Sequence, residues 1–187
     1  MCPVRRSSQR LDLRELAIED VDAVFKIYGS EEAAEHLSFG PRSRVQVGDI
    51  GARSIASATA TPRTEYALAV IQRDITELIA FGRIATDPHQ QRGATFGFAL
   101  RPDAWGIGYG VETVCLLLGF AFEELGLHRV WGARSPINEA SARTMTAAGM
   151  TKEGVIREHI QKAGVWRDSV VHSMLDHEWG GRQSLVT

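Results

Sequence analysis

Three closely spaced glycines precede a strongly apolar segment in the second half of the chain. Gly106, Gly108 and Gly110 lead into VETVCLLLGFAFEEL, whose apolar residues recur at helical spacing. Glycine admits positive φ angles and close approach of a ligand to the backbone, and a helix begins with unpaired N–H groups and partial positive charge. This arrangement is typical of a phosphate or pyrophosphate site. A turn that only joins a strand to a helix explains the same glycines equally simply.

A dinucleotide fold is a poor match for these glycines. Its fingerprint requires Gly-x-Gly-x-x-Gly after the first strand of a parallel βαβ unit. Here the spacing is Gly-x-Gly-x-Gly, and the segments before it alternate like antiparallel strands. A nicotinamide- or flavin-binding oxidoreductase is therefore the weakest of the functions considered.

The elements around the glycines predict a mixed α+β single domain over residues 1–187, with residues 1–10 flexible. Alternating or apolar runs predict strands, and 3.6-residue periodicity predicts helices. The predicted strands are 11–16, 65–71, 76–85, 94–100, 128–133, 150–156 and 165–175. The predicted helices are 17–28, 45–58, 111–125 and one that begins after the N-cap Asn138 and ends before Gly149.

Composition narrows the classes of partner and compartment. The 187 residues carry a net charge of −2 and have a pI of about 6.3, which argues against nucleic acid or an anionic membrane as the main partner. The longest apolar run, Val114 to Phe122, is far below the ~20 residues that span a bilayer. The N-terminal sequence lacks a signal-peptide core, and Cys2 and Cys115 are not expected to pair. These features predict a cytoplasmic protein.

Four landmarks in order resemble the GNAT (Gcn5-related) N-acetyltransferase family, closest to its ribosomal-protein N-terminal acetyltransferase subgroup. The landmarks are the segment Leu100–Glu112, the Asn138-x-x-Ser141 element, Gly149-Met150 with Glu153-Gly154, and Trp166–Leu175. Met150 stands where the subgroup usually has Phe. The resemblance runs from about Glu65 to Trp179, whereas the first 60 residues agree only in pattern.

The resemblance implies a GNAT-type domain with a seven-stranded, mostly antiparallel sheet. Two central strands, 94–100 and 128–133, are then parallel neighbours that splay apart, and the pantetheine arm of acetyl-CoA pairs in the gap like an added strand. Acetyl-CoA is the implied cosubstrate, and no metal is needed. The implied cosubstrate-binding residues are Phe98, Ala99, Leu100, Trp105, Gly106, Ile107, Gly108, Tyr109, Gly110, Asn138 and Ser141.

The acid and base are where the chain departs from the family. The resemblance places Thr95 where many relatives have a strand Glu that acts as base, and His172 where they have the Tyr that protonates the thiolate. Strand alternation places Glu158 on the face of Ile160, the position aligned with another family base. The candidates are therefore His172 and Ser141 as acids and Glu158 as base. Ordinary alternatives are a packed strand histidine, a helix-start serine and a solvated carboxylate, with water as the base.

The predicted activity is acetyl transfer from acetyl-CoA to a primary amine by direct attack in a ternary complex. The acceptor is either a protein N-terminus or a small molecule, and the protein acts as a monomer or homodimer without nucleic acid or membrane. The alternative is a catalytically weak acyl-CoA-binding or sensor module, because Thr95 and His172 replace family residues. The acidic residues Glu31, Glu32 and Glu35 form a solvated helix face or attract a cationic acceptor.

Overall fold

The computed structural model describes residues 3–180 as a mixed sheet with helices on both faces. Cys2 and residues 181–187 of the predicted domain lie outside this range. The strands are β1 (Arg5–Ser7), β2 (Leu11–Glu15), β3 (Glu65–Gln72), β4 (Glu77–Thr86), β5 (Gly93–Leu100), β6 (Arg129–Arg134), β7 (Thr151–Lys162) and β8 (Val165–Leu175). The helices are α1 (Val21–Tyr28), α2 (Glu31–Ala34), α3 (Arg44–Ser57), α4 (Tyr109–Gly119), α5 (Glu139–Ala147) and α6 (Asp176–Trp179).

Within residues 3–180 the sheet has eight strands in the order β1-β2-β3-β4-β5-β6-β8-β7. The α+β prediction is confirmed, but the count of seven was wrong because Arg5–Ser7 pairs with β2. This strand lies within residues 1–10, the segment predicted to be flexible. Burial of Val4 and ion pairs from Arg6 to Glu123 and Glu124, at 2.6 and 3.1 Å, fix it in place. Those partners lie more than 100 positions away in sequence, so local pattern could not reveal them.

The two parallel strands, β5 and β6, pair over a very short stretch. Their register is Gly93 with Arg129, Ala94 with Val130 and Thr95 with Trp131, and it ends there. Immediately beyond, a side chain at Gly132 would lie 2.5 Å from the ring of Phe96, so that ring occupies the space beside the glycine. The splay predicted for this pair is therefore present, and the separating strands leave a gap near the centre of the sheet.

Each face of the sheet has its own core. One contains α4 and α5, with apolar residues such as Val114 and Met145, and the other packs α1 and α3 through Val24 and Val47. Helix α4 approaches β4 closely, because a Cβ at Gly82 would be 2.7 Å from Leu117. The apolar stripe that predicted this helix is buried, and a π-helical turn over Phe120–Glu124 follows it.

The final hairpin is longer than the pattern predicted. Strand β7 continues to Lys162 rather than ending at Ile156, with an irregularity between Ile156 and Ile160. Ile156 pairs with Ser169 and Ile160 pairs with Arg167, so an advance of four residues along β7 corresponds to two residues along β8. None of the helices in residues 3–180 has the length and apolarity to cross a membrane.

Candidate active site

A cleft of about 320 Å³ opens where β5 and β6 separate. Residues from both faces of the sheet line this cleft. Others come from the segment after α2 and from the β7–β8 hairpin. Its lining residues are Tyr28, His36, Leu37, Ser38, Phe39, Arg83, Phe96, Gly97, Phe98, Ala99, Gly132, Ala133, Arg134, Asn138, Ser141, Met145, His159, Ile160, Arg167 and Ser169.

The backbone of β5 supplies the polar edge of the gap. The backbone N–H of Arg101 donates a hydrogen bond of 2.8 Å to the carbonyl of Ile79, which lies in β4. Because backbone groups alternate along a strand, those of Ala99 also turn toward β4, while those of Phe98 and Leu100 turn toward the gap. The carbonyl of Leu100 already accepts a hydrogen bond of 3.1 Å from the indole N–H of Trp105. The groups open to an added strand are therefore those of Phe98 and the N–H of Leu100.

The glycine-rich loop has the backbone conformation that its sequence suggested. Gly106 and Gly108 adopt φ angles of 79° and 89°, which side-chain-bearing residues rarely adopt, and Gly108 is the N-cap of α4. No side chain caps the helix start, so its first N–H groups point toward the loop. Trp105 and Ile107 are exposed, and residues 105–110 lie outside the cleft lining. The loop and the cleft are thus separate parts of one candidate site.

Arg10 braces this loop from the N-terminal segment. Its guanidinium donates to the carbonyl of Ile107 at 3.0 Å and to the Glu112 carboxylate at 2.8 Å, and it lies over the ring of Tyr109. Burial acts to raise the pKa of Glu112, but hydrogen bonds from Ser8 and Arg10 outweigh it and keep the pKa below its ordinary value. Glu112 is therefore an anionic anchor at neutral pH. Sequence reasoning missed Arg10 because it treated residues 1–10 as flexible.

Asn138 and Ser141 meet in the cleft at the start of α5. The Asn138 side chain caps the helix by accepting a hydrogen bond from the Ser141 N–H, at 2.9 Å. This capping uses the amide oxygen of Asn138 and the backbone of Ser141, so the serine hydroxyl keeps its capacity to donate. Both predicted residues therefore line the cleft with Phe98 and Ala99.

His172 lies in β8 and is only 2% exposed, outside the cleft lining. Its Nε2 accepts a 3.3 Å hydrogen bond from the Nε of Arg134, whose Nη1 donates to the carbonyls of Ser135 and Pro136. Burial, followed by the charges of Arg134 and Lys152, lowers the pKa of His172. The imidazole is therefore neutral at pH 7, and its contacts support the strand-to-helix connection before α5.

Glu158 is also outside the cleft lining. It is exposed at the irregular part of β7 with a φ of 49°, and its N–H donates to the Asp168 carboxylate at 2.8 Å. The alternation that placed Glu158 on the face of Ile160 is wrong because the irregularity interrupts it. His159 and Ile160 line the cleft instead.

Several cleft residues had no place in the sequence prediction. Tyr28, His36, Arg83, Arg134 and Arg167 come from separate elements and carry no shared motif. The Tyr28 ring packs edge-on against Phe39 and Phe81, and burial raises the pKa of its hydroxyl despite the opposing charge of Arg83. Tyr28 therefore presents a protonated phenol to the cleft at neutral pH.

Comparison with known proteins identifies close similarity in both sequence and fold. Residues 10–151 match the family model described as "Acetyltransferase (GNAT) domain". The chain is 25% identical to the uncharacterized N-acetyltransferase YoaA of Bacillus subtilis over 168 residues, which cover 90% of this chain and 94% of YoaA.

Two solved structures share the fold at lower identity. Mycobacterium smegmatis RimJ in complex with CoA-disulfide superposes with a TM-score of 0.77 at 19% identity, over 95% of this chain and 87% of RimJ. Spermidine N-acetyltransferase from Vibrio cholerae, in complex with CoA and spermine, gives 0.78 at 18% identity, over 91% and 98%. At these identities the likeness concerns the fold alone.

The lowered pKa of His172 predicts a pH-dependent stability. Between the ordinary histidine pKa of about 6.5 and the lower folded value, the unfolded chain binds a proton that the folded chain does not. The free energy of unfolding therefore falls as pH decreases through this window. Urea titrations from pH 7 to pH 5 are expected to show a smaller fall for His172→Gln than for the wild type. The exposed His177→Gln is the control, and equal slopes for all three proteins would contradict the assignment.

Proposed function

Because the chain belongs to the GNAT acetyltransferase family, and is therefore an N-acetyltransferase, we propose that it passes the acetyl group of acetyl-CoA directly to a primary amine in the cleft. The observation that carries this proposal is the separation of β5 from β6 after three residue pairs. It leaves the backbone groups of Phe98 and the N–H of Leu100 without a strand partner, and Phe98 lines the cleft together with Asn138 and Ser141 at the start of α5. A thioester and an amine can then meet in one cavity without a covalent enzyme intermediate.

Acetyl-CoA is used by acetyltransferases of this family, and the described residues suit its two polar parts. Phe98 and Leu100 offer strand-edge groups to the amides of the pantetheine arm. The N–H groups of residues 106–110, with the positive end of α4, suit the pyrophosphate, whereas the N–H of Trp105 already bonds to the carbonyl of Pro102 at 3.1 Å. Asn138, which caps α5, lines the same cleft as Phe98 and Ala99 of β5.

The reaction requires the acceptor amine to be neutral when it attacks the thioester carbonyl. A carbon–nitrogen bond forms, the carbon–sulfur bond breaks, the amine nitrogen loses one proton, and the CoA thiolate gains one. The carbonyl oxygen needs a hydrogen-bond donor, and we propose an N–H on the free edge of β5 for this role. Among the cleft residues we propose Ser141 as the donor to the thiolate, because it lines the cavity and its helix-capping contact uses only its backbone N–H. His172 and Glu158 remain sequence predictions that lie outside the cleft lining.

A side chain at Gly108 is expected to weaken CoA binding. In Gly108→Val the added atoms would stand in the loop beside Arg10, 3.3 Å from its guanidinium, and valine disfavours the φ of 89°. Calorimetry is expected to show at least a roughly tenfold rise in the Kd for CoA, or ~1.4 kcal/mol. Gly164→Val is the matched control, because Gly164 has a φ of 81° in an open turn at the far hairpin. If Gly108→Val and Gly164→Val are both folded and have the same Kd for CoA, the cosubstrate binds elsewhere.

Replacement of the Ser141 hydroxyl is expected to slow turnover without weakening CoA binding. Ser141→Ala should lower kcat by about tenfold to a few hundredfold, because a positioned acid contributes in this range. Turnover is measured as amine-dependent release of free thiol from acetyl-CoA, which also separates transfer from mere acyl-CoA binding. The exposed Thr146→Ala on α5 is the control. Unchanged kcat in Ser141→Ala would assign thiolate protonation to solvent, and a loss of CoA affinity would make Ser141 a binding residue.

A further inference from the structure

The ionisable side chains that line the cleft are either basic or phenolic. They are Tyr28, His36, Arg83, Arg134, His159 and Arg167. Within residues 3–180, no aspartate or glutamate lines this cavity. The acidic residues 31, 32 and 35, considered above as attractants for a cationic acceptor, have exposed side chains outside the lining. A cavity with this lining favours negative charge on whatever enters it.

Two of the three arginines are already engaged by the protein. Arg83 pairs with the Glu65 carboxylate through hydrogen bonds of 2.8 and 3.2 Å. Arg134 donates to the carbonyls of Ser135 and Pro136 at 3.0 Å and to His172. Their charges shape the potential in the cleft, but their donors are largely occupied. They therefore do not provide the principal ligand contact.

Arg167, His36 and His159 differ from these two because each has an unused polar atom. The Nε of Arg167 and the Nδ1 atoms of both histidines are buried without a hydrogen-bond partner among the described residues. A buried donor without a partner costs about 1–3 kcal/mol, so such groups are rarely left idle in a native structure. All three side chains line the cleft, and none of them donates a hydrogen bond within residues 3–180, so the remaining guanidinium and imidazole groups are available to a ligand with several hydrogen-bond acceptors.

The surroundings keep the charge of Arg167 uncompensated. Lys162, on the same hairpin, donates two 2.7 Å hydrogen bonds to the carbonyls of Ala34 and Glu35, which hold the hairpin against the segment that carries His36. Burial lowers the pKa of Lys162, and repulsion from Arg167 lowers it further. The charge of Glu35 opposes this shift in the pKa of Lys162. Arg167 forms no ion pair within residues 3–180.

We infer that the acceptor is a primary amine that carries a carboxylate, bound in the cleft by Arg167 together with His36 and His159. This inference rests on the proposed acetyl transfer and names its acceptor class. A guanidinium presents several donors in a fixed plane that match the two oxygens of a carboxylate. The carboxylate then holds the other end of the acceptor while its amine faces the thioester. A polyamine would meet only cations and neutral groups.

The test compares acceptors that differ only in this charge. The wild-type protein is assayed for thiol release with acetyl-CoA and three groups of amines. The first group pairs amino acids with their carboxamides, the second pairs peptides with Asp or Asn at position two, and the third is spermidine. At least a tenfold higher kcat/KM for the carboxylate member is expected in one of the paired groups. The group in which it occurs tells whether the carboxylate belongs to a free amino acid or to a peptide side chain.

The variant Arg167→Gln is expected to reduce this ratio to about one while the Kd for CoA stays within about twofold of wild type. Arg157→Gln, on the exposed part of β7, is the matched control and should keep the ratio. Equal rates for the paired acceptors in the wild type, or a preference for spermidine, would overturn the inference. Such a result leaves acetyl transfer intact. Absence of transfer to every amine while CoA still binds would instead remove the proposed function, and this inference with it.

Discussion

The site depends on the early end of pairing between β5 and β6. Three residue pairs hold these parallel strands together, and then the ring of Phe96 takes the space beside Gly132. The two strands remain anchored on their outer sides, β5 by β4 and β6 by β8, so the gap is built into a stable sheet. Unpaired strand edges are normally a liability. Here, in the proposed function, the open backbone groups of Phe98 form the binding edge for an extended ligand.

Everything else in the site is positioned relative to this gap by contacts between distant parts of the chain. Arg10 and Glu112 fix the glycine loop at the start of α4, and Asn138 fixes the start of α5. Lys162 holds the β7–β8 hairpin against the segment after α2. The cosubstrate loop and the acceptor end of the cleft are therefore separately braced. If the proposed roles hold, substitutions in the hairpin and the α2 segment change acceptor preference without disturbing the glycine loop.

The local sequence pattern was sufficient to predict most strands and helices of the fold and part of the candidate site. The left-handed glycines and the Asn138 cap arise from short segments whose geometry their own residues dictate, whereas the splay of β5 and β6 was predicted from the resemblance to the GNAT family. Strand β1, the Arg10 brace and the placement of Glu158 were not predicted correctly. The first two depend on ion pairs across about 100 residues or more, and the third depends on an irregularity that breaks the alternation of β7. The cationic lining could not be predicted from the sequence, because its members, such as His36 and Arg167, come from elements that only the tertiary fold brings together.

The most direct measurement is amide hydrogen exchange along β5 with and without CoA. If the pantetheine arm adds to the free edge of this strand, the amides of Phe98 and Leu100 will exchange more slowly when CoA is bound. The amide of Ala99, whose backbone groups turn toward β4, will change little. Protection of alternate amides is the pattern of an added strand. Unchanged exchange at Phe98 and Leu100 under saturating CoA would contradict the central claim that the gap between β5 and β6 is the cosubstrate site.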